Sequence, residues 1–160
     1  MKRLLAVLII FVSLVSFVAC DKDSDSGTNN NTEKAWVGVW LSSGTNVAPI
    51  LVTLFNYDSV RVTIESDNTV KTESHIAGGA WSSVEGVYTV TESSSGDVHT
   101  VEFVYAAFSQ AGIMQVTGDN MQLEVVQTVP DIGATPRTPA TGFGSDAALG
   151  ALNIQKYVRQ

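Results

Sequence analysis

One cysteine and two histidines are the whole stock of soft nucleophiles and imidazole ligands in this 160-residue chain. Thiolate metal clusters need several cysteines and a disulfide needs two, so Cys20 can build neither within the chain. His75 and His99 each fall on a stretch of strand-like alternation. A zinc site would have to add a third ligand, such as Glu73 or Glu102. His75 shares its face with Lys71 and Glu73 and reads as solvent-facing; His99, sharing its face with Val101 and Phe103, reads as inward or at a strand end. No serine lies in a Gly-x-Ser-x-Gly elbow, and no glycine loop of the phosphate-cradling kind is present. Glu85, Glu102 and Glu124 could supply the paired carboxylates of a hydrolase, but each alternates along its strand in a way that predicts an exposed face. The reading is therefore of a non-enzyme without cofactor or metal. Asp21, Asp23 and Asp25 have calcium-loop spacing, yet Ser26 and Thr32 stand where such a loop needs glycine and glutamate; a charged spacer is the better reading.

Aromatic and loop residues supply the remaining candidates. Trp36, Trp40 and Trp81 could line an apolar pocket or stack on a sugar ring. Trp40 reads first as core, and Trp81, following a glycine turn, as a rim residue. Residues 129–150 hold three of the four prolines and several glycines, which excludes a regular helix or a central strand. Such a long connection is a candidate lid with Arg137 and Phe143 as contacts; the plain alternative is a loop packed over one end of the domain.

The elements that must position these residues are strands. Val60, Val62 and Ile64 alternate with Arg61, Thr63 and Glu65, the period-two signature of a half-buried strand. Similar stretches cover residues 36–41, 70–76, 84–91, 98–105, 113–117, 121–128 and 154–158, separated by turn residues such as Ser66-Asp67-Asn68 and Gly118-Asp119-Asn120. About eight strands joined by short turns cannot hold the crossovers of a parallel sheet, so the sheet is antiparallel. The predicted fold is all-β: an antiparallel up-and-down barrel, with a two-sheet β-sandwich as the alternative. Residues 47–55 fit neither helix nor strand clearly, and residues 146–152 could form one short helical turn.

The front of the chain has a different composition. Lys2 and Arg3 precede an apolar run over residues 4–19 broken only by Ser13 and Ser16. Sixteen helical residues span roughly 24 Å, short of the roughly 30 Å bilayer core, which describes an export signal better than a membrane span. Phe17-Val18-Ala19-Cys20 resembles the lipobox of bacterial lipoproteins, with Phe17 in place of the usual leucine. The resemblance implies cleavage between Ala19 and Cys20, acylation of Cys20 and a lipid-anchored partner membrane in the cell envelope. Three acyl chains, at about 0.8 kcal/mol per buried CH₂, would hold the protein there with no membrane-binding surface of its own. Acidic residues behind the cysteine resemble sorting signals, and the outer membrane is favoured over the inner.

Residues 20–34 are polar and acidic, the composition of a flexible tether, and residues 35–160 form one domain. Removing Lys2 and Arg3 leaves seven basic residues against sixteen acidic, a formal charge of −9 that excludes a nucleic-acid footprint. Gly38-Val39-Trp40, followed later by Gly86-Val87-Tyr88, resembles the motifs of small lipocalin-like lipoproteins. That resemblance implies a barrel whose first-strand tryptophan packs across the floor. Neither the family's C-terminal helix nor its arginine facing that tryptophan is evident in the sequence. The expected function is a membrane-anchored, non-catalytic binding module for a small apolar ligand. The alternatives are a structural envelope protein contacting proteins or glycans, and a hydrolase using strand carboxylates.

Overall fold

The computed structural model describes residues 33–160; the leader, Cys20 and the tether up to residue 32 lie outside the described residues. Eight strands follow in order: β1 (Gly38–Ser43), β2 (Tyr57–Ile64), β3 (Thr69–Ile76), β4 (Trp81–Thr91), β5 (Val98–Tyr105), β6 (Ser109–Thr117), β7 (Asn120–Val129) and β8 (Gln155–Arg159). Each pairs antiparallel with the next, and β8 returns to pair with β1, closing an up-and-down barrel rather than a sandwich. Closure leaves no unpaired strand edge in the sheet.

Alternation sets the two faces. Val60, Val62 and Ile64 are buried inside, while Arg61 and Thr63 between them look outward. Trp40, Ile64, Val70, Tyr88, Val101, Met114 and Met121 belong to one core cluster. Each fully buried large side chain is worth about 1.5–3 kcal/mol in water-to-core transfer. The best hairpin of the sequence closes with Thr117 opposite Asn120, leaving Gly118-Asp119 as a two-residue loop with φ +57° at the glycine. Positive φ at the first loop position alone is the type II′ pattern.

Several boundaries differ from the sequence reading. β1 starts at Gly38, not residue 36, because a turn closed by Val37 N–H to Lys34 O (2.9 Å) tucks Trp36 against the barrel base. β4 and β6 begin earlier than expected, at Trp81 and Ser109, through serine- and glycine-bearing segments without apolar alternation. The ambiguous stretch contains a helix, α1 (Pro49–Phe55), started by proline at its first turn and ended by Asn56 in the left-handed conformation (φ +56°).

One barrel end is closed. Trp40 is fully buried there, and its indole Nε1 donates to Trp36 O at 2.8 Å. The Arg159 guanidinium lies 4.1 Å from the centre of the Trp40 ring and donates to Val37 O (2.7 Å) and Ala35 O (2.6 Å). The sequence reading found no arginine for this place; Arg159 of β8 takes it, because barrel closure brings the last strand beside the first. Gly38 is required by the same arrangement: its φ is +137°, and an added Cβ would strike Arg159 Nη1.

The proline- and glycine-rich segment lies against the outer wall of β6 and β7, tied there at Gly144. Leu123 and Val125 face inward, so Glu124 and Val126 point away from the interior, yet both are buried. Ile113, opposite Glu124 on β6, is likewise fully buried outside the central core cluster. Gly144 N–H donates to Glu124 Oε2 at 2.7 Å, pinning the segment there. Arg137 pairs with Asp146 at 3.2 Å, and Asp146 accepts from the Ala148 and Leu149 N–H groups. A short 3-10 turn (Gly150–Asn153) leads into β8.

Candidate ligand cavity

The opposite end of the barrel holds a cavity of about 430 Å³. Its wall comes from the ends of strands that meet there: Val60 and Val62 of β2, Thr72 of β3, Phe103 of β5, Leu123 of β7 and Tyr157 of β8, among others. Helix α1 adds Leu51 and Phe55, four residues apart and therefore on one helical face. Its Val52 and Leu54 remain exposed.

The mouth follows from strand register. Gly86 opposite Tyr105 is the last β4–β5 pair, so residues 81–85 extend beyond β5 and pair only with β3. Val84 lies in this overhang and lines the cavity while remaining 39% exposed. Phe55 of α1 and Phe108 of the β5–β6 turn also line the cavity, and Phe55 is half exposed. The mouth thus sets these apolar side chains beside Ser82 and Ser83 of the same overhang.

Tyr105 crosses the barrel wall over Gly86, whose missing side chain makes the room: a Cβ there would meet Val104 O and, at 2.9 Å, Tyr105 Cδ1. The Tyr105 hydroxyl thereby reaches the Thr72 hydroxyl at 2.8 Å. Burial pushes the Tyr105 phenol above its ordinary value, and it does the same to Tyr157, so both are neutral hydroxyls at ordinary pH.

Gln155 is 4% exposed and lines the same cavity. Its Oε1 accepts from the Ala48 N–H at 2.6 Å, which fixes which end of the amide is oxygen. Its Nε2 then has no partner within the protein, and neither has the buried Ser42 Oγ. An unsatisfied buried polar atom costs about 1–3 kcal/mol. Among the described residues, none lining the cavity is Asp, Glu, Lys, Arg or His.

None of the four contact residues singled out in the sequence lines this cavity. Trp40 is floor core. Trp81 is 40% exposed on the outer face, with His75 at 5.1 Å on one side and the Arg61 guanidinium at 4.9 Å on another. Arg137 is held within its own loop, donating to Thr135 O and pairing with Asp146, and Phe143 is half-buried. His75 does face outward, where its Nδ1 meets Asp58 at 2.6 Å. His99 packs edge-on against Trp36 at the closed end, its Nδ1 accepting from Ser93 N–H. Among the described residues, no three His, Cys, Asp or Glu gather as a metal site.

Of the three glutamates, Glu85 and Glu102 are exposed as expected. Glu124 departs from that expectation: it is 2% exposed, because the 130–150 segment covers it. None of the three lines the cavity. The residues that do make the site, Thr72, Tyr105, Gln155 and Tyr157, carry no motif. The only sequence signal was the Gly86 beside Tyr105, a glycine within a strand that marks a close approach.

Fold and site together define a closed eight-stranded antiparallel barrel with one sealed end and, at the other, a mostly apolar cavity lined by no charged side chain. The chain matches no protein-family model, no curated protein and no solved structure.

Proposed function

We propose that this chain is a lipid-anchored envelope protein whose barrel binds a small apolar molecule without transforming it. The cavity carries the reading: about 430 Å³ lies within the 300–1,000 Å³ range of small-molecule sites. Its mostly apolar wall, its opening beside α1 and its lack of charged residues support binding rather than catalysis. The Gly38-Val39-Trp40 motif under Arg159 supports a lipocalin-like barrel. The leader and Cys20 support acylation and an envelope address, with the outer membrane favoured.

Full-length protein in detergent should bind the neutral dye N-phenyl-1-naphthylamine saturably, at one dye per chain, above protein-free micelles. A Val62→Trp variant, which fills the cavity, should lose that signal while still melting cooperatively. Dye uptake no greater than in empty micelles would overturn carriage. A labelled fatty acid should be incorporated by the parent chain and not by Cys20→Ala. Equal labelling would remove the anchor.

A second reading, contact with an envelope protein or glycan, is favoured by the outer wall. Val87 and Val104 sit opposite each other on β4 and β5 and are about half exposed, and Trp81 presents an exposed ring on the same face of β4.

A further inference from the structure

Among the polar groups of the cavity wall, two buried ones, Tyr105 and Gln155, have hydrogens to give. Thr72 and Tyr105 share a single hydrogen bond between two hydroxyls, so whichever donates, the other keeps a hydrogen for which the protein offers no acceptor. Gln155 adds an amide hydrogen donor with no partner. Both groups belong to the cavity wall, between apolar Val62, Phe103 and Leu123. These buried neutral donors can meet an acceptor oxygen on the ligand.

Charge narrows the class further. A carboxylate brought into this cavity would lose its hydration and find no cation, since no Lys, Arg or His lines the wall. The chain as a whole is acidic, formally −7, which repels an anion before it arrives. A carbonyl oxygen of an ester or amide accepts a hydrogen bond without that desolvation cost.

Resting on the carriage reading above, we infer that the cavity selects an apolar chain bearing a neutral carbonyl, and seats that oxygen against the Thr72–Tyr105 hydroxyl pair. Decane, methyl decanoate and decanoate form a matched set of probes, compared by partitioning into full-length protein in detergent against protein-free micelles. Methyl decanoate should bind about tenfold tighter than decane, one hydrogen bond's worth, and decanoate at pH 7 weakest. The double variant Tyr105→Phe/Thr72→Val keeps both side-chain shapes and removes both hydroxyls. It should lose the tenfold preference for the ester over decane, each compared within the same variant.

A carbonyl-labelled ester gives a readout independent of any variant. Its infrared carbonyl stretch should fall on binding the unsubstituted protein, relative to the same ester in micelles. If decane itself is not taken up, carriage fails and this inference with it. If decane binds but the ester gains nothing, or decanoate binds as well as the ester, only the polar selection is overturned. An unshifted carbonyl stretch in the bound ester overturns the seating.

Discussion

Glu73 lies on the outer wall between Arg61 and Lys71, with Oε2 accepting from Arg61 Nε at 2.6 Å and Oε1 facing Lys71 Nζ at 3.2 Å. The Arg61 hydrogen bond, ahead of the Lys71 contact, holds its carboxyl down at about 2 against an ordinary 4.5. A folded-state value below the unfolded one stabilises the fold above about pH 4.5, and that contribution is lost as pH falls through about 2. Arg61 is more than a third exposed, so solvent screening limits the effect to about 1 kcal/mol. Glu73→Gln should therefore be less stable than the parent by about that amount at pH 7 and equally stable near pH 2. Urea midpoints across that range measure it; a constant gap would exclude the linkage. Glu73 was legible in the sequence only as an outward strand residue. Lys71, two positions away, shares its face in the strand pattern, but Arg61 stands opposite on β2, which a single strand's pattern does not encode.

Strands with strict alternation, such as β2, were legible because burying every second apolar side chain leaves one solution for the backbone. The first residues of β4 and β6, Trp81-Ser82-Ser83 and Ser109-Gln110-Ala111-Gly112, were not: they follow the pleat with few apolar side chains to mark it. Helix α1 is seven residues of mostly apolar sequence, too short for a 3.6 period to declare itself against a strand. The 130–150 segment read as irregular and is so, but its resting place on β6 and β7 depends on Glu124, twenty residues before the Gly144 it holds. Glu124→Ala removes the acceptor for Gly144 N–H and uncovers part of that wall. Limited proteolysis should then cut within residues 133–144 many times faster while the barrel core stays intact. An unchanged cleavage rate would mean that apolar packing alone holds the segment.

Barrel closure is what the local pattern could not reveal, and with it the cavity and the floor. Arg159 is separated by 122 residues from Val37, whose carbonyl it binds, and its guanidinium covers Trp40. Arg159→Ala should cost about 2 kcal/mol in urea unfolding, from one cation–π contact and two hydrogen bonds to backbone carbonyls. Exchange of the Trp40 indole hydrogen should quicken at the same time; unaltered stability would deny the seam its role. The β1–β8 seam also orders events in time. Seven strands can zip up pair by pair, each beside its predecessor, but the sheet keeps two bare edges until β8 arrives to join them. A nascent chain halted before residue 155 would thus display hydrogen-bonding ladders open to any neighbouring strand.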